Sequence, residues 1–181
     1  MYGIINKSIE DLVTENYGET VWEEIKEKSG VDIDFFISTD PYDDSITYSL
    51  AGAIAEKLEA PLSKILNTFG EWWVLKTCNE KYNHLLQSGG DSFKDFLINL
   101  PNFHNRVMMY YPNLAPPEFK VSDITDNGLH LHYHSHREGL KDFVEGLIHG
   151  LAKFFKKENI EVQHLQTVPG DNTHEVFKIQ W

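Results

Sequence analysis

Apolar residues in the first two thirds of the chain recur at the spacing of amphipathic helices. In residues 4–18, the apolar positions from Ile5 to Val13 lie close to helical periodicity, and Gly18 ends the pattern. Further segments of this kind, each bounded by Pro, Gly or Asp, cover residues 19–30, 43–58, 61–78 and 92–111. This part of the chain is therefore predicted to be helical.

The pattern changes to alternation after the proline-rich stretch at residues 112–117, the only internal seam that the composition indicates. Four strands, paired as two hairpins, are predicted at residues 119–125, 129–137, 160–168 and 174–181. The first hairpin has Asp126-Asn127-Gly128 as its tight turn, and a long helix over residues 139–159 separates the two hairpins. The sequence thus predicts an α+β fold: a helical N-terminal part and a C-terminal four-stranded antiparallel sheet with packed helices.

The second predicted strand carries a row of histidines. Side chains of a strand alternate between two faces, so one face holds every second residue. These are His130, His132, His134 and His136. A row of imidazoles could contribute two ligands to Zn²⁺ or a similar metal ion, but the sequence marks no third ligand. A polar, solvent-facing side of an antiparallel strand is the simpler interpretation.

The opposite face of that strand carries Tyr133, Ser135 and Arg137. A guanidinium group can bind a carboxylate or phosphate through two parallel hydrogen bonds, and the two hydroxyls can add further ones. An ordinary surface ion pair of Arg137 explains the same spacing equally well.

His104 lies on an apolar stripe of the helix predicted at residues 92–111. Leu100, Val107, Met108 and Tyr111 share this stripe by i, i+3, i+4 spacing. A histidine in such a place is more often a satisfied core residue. A single histidine facing a large apolar cavity is also what axial ligation of haem requires.

Composition narrows the classes of function. The net charge is −12, with 28 acidic against 16 basic residues, which disfavours binding to nucleic acid or to anionic membranes. Cys78 is the single cysteine, so an intramolecular disulfide and a cysteine metal cluster are excluded. The sequence shows no signal peptide, no membrane span and no hydrolase or nucleotide-binding motif. We therefore expect a cytoplasmic location and no enzymatic activity.

Tyr133-x-Ser135-x-Arg137 resembles the YxSxR motif of the H-NOX (haem nitric oxide/oxygen binding) family, which includes the sensor domain of soluble guanylate cyclase. The similarity covers nearly the whole chain, from MYGIIN through TFGEWW, the His104 helix and YYPNLAPPEF to the final strands. It implies one domain over residues 1–181, with a helical subdomain over about residues 1–60. A haem-binding subdomain would cover residues 61–181, with haem b (iron protoporphyrin IX) between the two.

The resemblance also assigns roles to residues. His104 would bind the iron, while Tyr133, Ser135 and Arg137 would hold the propionates. Pro117, or the adjacent Pro116, would press on the porphyrin and distort it. The distal side would be lined by Ile5, Phe69, Phe143 and Leu147.

The resemblance implies a sensor of NO. Oxygen-binding members have a distal tyrosine where this chain has Phe143, so NO and CO are the expected ligands and O₂ is excluded. Weakening or release of the Fe–His104 bond, haem relaxation and a subdomain shift would then regulate a separate protein, a sensor histidine kinase or a cyclic-di-GMP enzyme. Two alternatives stay open: a haem peroxidase or NO-detoxifying enzyme, and a non-haem metal protein that uses the His130–His136 row.

Overall fold

The structure, a computed structural model, describes residues 1–110, 116–168 and 173–181. Its helices are α1 (Gly3–Tyr17), α2 (Glu19–Ser29), α3 (Asp44–Lys57), α4 (Leu62–Trp72), α5 (Asn79–Gln87), α6 (Phe93–Tyr110) and α7 (Lys141–Phe154), with a π-helical turn at Trp73–Cys78. Its strands are β1 (Glu118–Thr125), β2 (Gly128–Ser135), β3 (Glu161–Val168) and β4 (Thr173–Gln180). The predicted α+β fold is confirmed. None of the helices in the described ranges is long and apolar enough to cross a membrane.

The four strands form one antiparallel sheet in the order β1-β2-β4-β3. Both predicted hairpins are confirmed, because β1 pairs with β2 and β3 pairs with β4. The first turn bridges Thr125 and Gly128, whereas residues 169–172 of the second turn and 111–115 of the proline-rich stretch lie outside the described residues. The sheet therefore places β2, with the Tyr/Ser/Arg motif at its end, in the centre.

One face of the sheet carries the C-terminal core. On β2, Leu129 and Leu131 are almost fully buried, and Phe177 and Ile179 lie beside them on β4. Helices α6 and α7 pack over this face with side chains such as Leu97 and Ile148. The buried face is thus continuous with Tyr133 and Ser135, and the histidines of β2 lie on the other face.

A second core joins the N-terminal helices. It contains Val13 of α1, Ile25 of α2 and Leu50 of α3, together with Ile65 and Phe69 of α4. Phe143 of α7 packs against this cluster as well. The subdomain boundary near residue 60 stays a prediction. Helix α4, which begins after this boundary, also contributes Ile65 and Phe69 to the N-terminal core.

Helices α4 and α7 cross at very short range because glycines face the contact. A Cβ atom on Gly146 would lie 2.0 Å from the Asn67 carbonyl oxygen, and one on Gly70 would lie 2.2 Å from the Phe143 carbonyl oxygen. Any larger side chain at either position would push the two backbones apart. This crossing fixes Phe69 and Phe143 next to each other, with ring centroids 5.3 Å apart.

The helical region departs from the prediction after residue 72. A single helix was predicted over residues 61–78, but α4 ends at Trp72, and a π-helical turn over Trp73–Cys78 leads into α5. A π-helix has i→i+5 hydrogen bonds, so the side chains after this turn point in a different direction from those that a continuous α-helix would present. Helix α5 was not predicted because its sequence, NEKYNHLLQ, is mostly polar and buries only Leu86.

Gly146→Ala is expected to destabilise the protein, because the new methyl group would collide with the α4 backbone. Overpacking of this kind costs about 1–3 kcal/mol. Gly52→Ala in α3 is the matched control: a Cβ there meets nothing within 4 Å, and alanine favours a helix over glycine by about 1 kcal/mol. Urea denaturation measures both free energies of unfolding. A Gly146→Ala protein as stable as the wild type would contradict the close crossing.

Candidate functional site

His104 lies on α6 with aromatic neighbours on two sides. Its ring stacks on Phe119 of β1, with centroids 5.1 Å apart and an interplanar angle of 13°, and Phe103 contacts it edge-on. Although the residue as a whole is half-buried, its Nδ1 atom is fully buried and makes no hydrogen bond of normal geometry, although the Leu100 carbonyl lies near the ring. Burial lowers the pKa of His104 to about 4, against a smaller opposing effect of the Leu100 carbonyl. The imidazole is therefore neutral at pH 7, the form in which histidine binds a metal.

Tyr133 and Ser135 point into the protein from the end of β2. Each is only 4% exposed. The Tyr133 ring lies 5.3 Å from the Phe119 ring, so Phe119 lies between Tyr133 and His104. Burial raises the pKa of Tyr133, which a hydrogen bond with Ser135 partly opposes, so the phenol stays protonated and can donate. Two buried hydroxyls thus lie at this end of the sheet, hydrogen-bonded to each other.

Arg137 lies just beyond β2 and binds the start of α3. Its backbone N–H donates to Ser135 Oγ at 3.0 Å, and its Nε donates to Asp44 Oδ2 at 2.7 Å. The other carboxylate oxygen of Asp44 accepts from the Met1 ammonium group. Burial alone would raise the pKa of Asp44, but hydrogen bonds from Met1 and Arg137 hold it below its usual value. The ion pair between Arg137 and Asp44 therefore links the end of the Tyr133-x-Ser135-x-Arg137 motif to the N-terminal helices.

An apolar cavity of about 70 Å³ lies in the N-terminal core. Its lining includes three of the predicted distal residues, Ile5, Phe69 and Phe143. Thr47 and Tyr48 also line it, but Thr47 donates to Asn6 at 2.6 Å and Tyr48 donates to the Glu138 carbonyl at 3.1 Å. The described part of the wall therefore offers no free hydroxyl to a small molecule inside the cavity.

The predicted site residues fall into two groups. Ile5, Phe69 and Phe143 line the cavity, whereas Leu147 packs on the sheet core. The second group surrounds Phe119 and is formed by His104, Tyr133 and Ser135, with Arg137 at its edge. Pro116 and Pro117 are half-buried just before β1, which leads into Phe119.

The residues fit a haem group in character. A cavity of 70 Å³ has room for a diatomic gas, and ligand sites for larger molecules typically measure about 300–1,000 Å³. A porphyrin in contact with both groups of residues would therefore require the side chains between them to move apart. The neutral, buried imidazole of His104 suits the iron. The apolar distal wall suits the ring, and the inward hydroxyls beside the Arg137 guanidinium suit the propionates.

Sequence reasoning missed three residues of this arrangement. Asp44 is adjacent to Asp43 at the start of α3, but only Asp43 caps the helix, by accepting from Ser45 N–H at 2.8 Å. Tyr48 had no local signal, since its partner Glu138 lies 90 residues away. Phe119 lies directly opposite Tyr133 in the first hairpin, and this pairing is the signal that could have identified it.

A family model described as Haem-NO-binding matches residues 2–164. The chain belongs to the haem-NO-binding family. Soluble guanylate cyclase gcy-32 of Caenorhabditis elegans is 31% identical to this H-NOX chain over 156 residues, and gcy-31 of the same organism is 28% identical over 165 residues. These matches cover 84% and 91% of the chain but only 23% and 24% of the two cyclases, so the chain spans about a quarter of their length.

Solved structures confirm the H-NOX fold. A Cs H-NOX mutant superposes with a TM-score of 0.87 at 21% identity, covering 99% of this chain and 96% of that one. An H-NOX protein from S. oneidensis, solved in an Fe(II)NO ligation state, gives a TM-score of 0.85 at 23% identity and covers 99% of both chains. The chain is thus an H-NOX domain, a haem-binding gas-sensor domain homologous to soluble guanylate cyclase.

Asp44→Asn is expected to lower the free energy of unfolding by about 0.5–1 kcal/mol at pH 7, because a partly exposed ion pair contributes little more. The pKa of Asp44 is lower in the folded protein, so its contribution is present above the unfolded-state value near 4. It is lost as the pH falls through the folded-state value, and the gap between the two proteins should close below about pH 4.

Chemical denaturation over a pH series measures this gap. Glu56→Gln, which removes an exposed salt bridge to Lys28, serves as the control and should change stability less. A gap that stayed constant down to pH 3 would show that the Asp44 carboxylate does not stabilise the fold.

Proposed function

We propose that this chain is a ferrous-haem sensor that binds NO and CO, excludes O₂, and signals when its bond to His104 is weakened or released. The observation that carries the proposal is the buried, neutral imidazole of His104, which stacks on Phe119. Family membership supports haem binding, and the apolar distal wall supports the choice of gas.

The haem would be haem b, and it would supply an open iron coordination position for a diatomic gas. His104 would hold the iron from the α6 side, and Tyr133, Ser135 and Arg137 would hold the propionates. Arg137 has five N–H donors, so it can keep its bond to Asp44 and still bind a carboxylate. Pro117 would press on the ring from the β1 side, and Ile5, Phe69, Phe143 and Leu147 would cover the distal side.

The choice of gas follows from the distal wall. Bound O₂ is strongly polarised and gains from a hydrogen-bond donor, whereas NO and CO need that help much less. Phe143 offers no donor, and the hydroxyls of Thr47 and Tyr48 already donate elsewhere. A haem peroxidase or NO-detoxifying enzyme would also need an acid–base group at this place, and the described lining contains no carboxylate or imidazole.

Signalling would start at His104. His104 would hold the iron, and binding of NO would weaken or release that bond and so free the ring of His104. Its stacking on Phe119, which contacts Tyr133, connects α6 to the centre of the sheet. The bond between Arg137 and Asp44 continues the connection to α3, so the N-terminal helices could shift against the sheet. Switching a mostly inactive population to a mostly active one takes about 5.5 kcal/mol of differential binding.

The output would be read by a separate protein, a sensor histidine kinase or a cyclic-di-GMP enzyme. The net charge of −12 favours a partner with a basic surface. A cytoplasmic location fits such a partner and fits the single cysteine, Cys78, whose pKa burial raises to about 12, which keeps it a thiol.

His104→Gly is expected to lose the absorbance of haem bound through histidine, because it removes the imidazole that holds the iron. Added free imidazole should restore that absorbance by occupying the space left by the side chain. The measurement is the optical spectrum of the ferrous protein, before and after NO, CO and air.

The matched control is His149→Gly on α7, which introduces the same helix-weakening residue away from the proposed ligand. It should keep the wild-type spectrum. A His104→Gly protein with unchanged spectra, or a stable oxygen complex in the wild type, would overturn the proposed function.

Phe143→Tyr is expected to raise the affinity for O₂ roughly ten-fold, because a new hydrogen bond is worth about 1–2 kcal/mol. Phe154→Tyr, on the same helix but packed against the sheet core, is the control. Gas titration of the ferrous proteins gives both affinities. If both variants exclude O₂ as the wild type does, residue 143 does not set the choice of gas.

A further inference from the structure

Three histidines meet on the outer face of the sheet, away from the haem-site residues. His132 and His134 lie two residues apart on β2, so they share a face. His174 of β4 is the direct antiparallel partner of His134, and its side chain also reaches His132. The third imidazole that the sequence of β2 did not mark is therefore supplied by the neighbouring strand.

The nitrogens of two of these rings are already close. His132 Nδ1 lies 3.0 Å from His174 Nε2. Zn²⁺ binds imidazole nitrogen at about 2.0–2.1 Å, so two nitrogens of a tetrahedral site lie about 3.3 Å apart. An increase of about 0.3 Å in this nitrogen–nitrogen distance would match the separation of two ligand atoms in a zinc site. In the absence of metal, the two rings share one hydrogen bond across the same gap.

A hydrogen-bond chain from β1 sets the tautomer of His132. Ser122 Oγ donates to Asp123 Oδ2 at 2.9 Å, so its hydroxyl proton is used. It must then accept from Nε2–H of His132, 2.8 Å away, which leaves the Nδ1 lone pair directed at His174. Partners that fix the second nitrogen of a metal-binding histidine in this way are typical of zinc sites.

His134 would be the third ligand. Its ring stacks on His174, with centroids 4.0 Å apart and an interplanar angle of 17°, and it is half-buried on an open face. As the side chains stand, no group of three or more His, Cys, Asp or Glu in the described ranges could hold a metal ion. A rotation of the His134 side chain out of the stack is therefore the step that would complete the site.

The overall charge of the protein also suits a cation. The net charge of −12 attracts a divalent cation to the surface.

We propose that His132, His134 and His174 form a binding site for one Zn²⁺ ion, separate from the haem site at His104. Three imidazoles leave the fourth position to water, as in zinc sites with three protein ligands. On binding, His174 carries its proton on Nδ1 and gives Nε2 to the metal. The site would tie β2 to β4 in the centre of the sheet.

The test uses the haem-loaded protein and Zn²⁺. Zinc and iron are counted by atomic emission after dialysis, and zinc affinity is measured by competition with a chromophoric chelator. The wild type should bind one zinc per chain. His132→Ala, His134→Ala and His174→Ala should each weaken binding by at least about ten-fold, and Ser122→Ala by about ten-fold or less.

His136→Ala is the matched control, because His136 continues the same row but is exposed beyond the end of β2. It should bind zinc as the wild type does. An unchanged haem spectrum in the three sheet variants shows that they fold. Absence of zinc from the wild type overturns the proposal, and so does wild-type affinity in His134→Ala or His174→Ala.

Discussion

A buried, neutral imidazole in aromatic surroundings is the constraint on which the site depends. His104 lies on a helix whose neighbouring side chains, Phe103 and Phe119, offer only ring faces and edges. Burial in these surroundings lowers the pKa of His104 to about 4 and keeps the ring neutral at pH 7. A neutral imidazole is the form of histidine that binds a metal ion.

The two cores of the fold are connected in two different ways. At the crossing of α4 and α7, Gly70 and Gly146 let the backbones pack closely. Beyond the end of β2, Arg137 is linked to Asp44 of α3 by a partly exposed ion pair. The proposed shift between the two cores would require this ion pair to change its geometry.

Much of the fold could be predicted because its signals are local. Alternation and the Asp126-Asn127-Gly128 turn predicted the first hairpin, and apolar periodicity predicted most of the helices. Helix α5 was missed because a polar helix that buries one leucine has no periodic signal. His104 and the Tyr133 motif were identified by resemblance to a family, since apolar spacing alone favoured an ordinary core histidine. The contact of Arg137 with Asp44 spans 93 residues of sequence, and no local pattern encodes such a pairing.

The most direct test of the account is the resonance Raman spectrum of the ferrous protein without a gas ligand. Protein made with ¹⁵N-labelled histidine should show an iron–histidine stretching band that shifts to lower frequency relative to unlabelled protein. The band should vanish in His104→Ala and on addition of NO to the wild type. A band that persists in His104→Ala, or that ignores the label, would contradict the bond between His104 and iron.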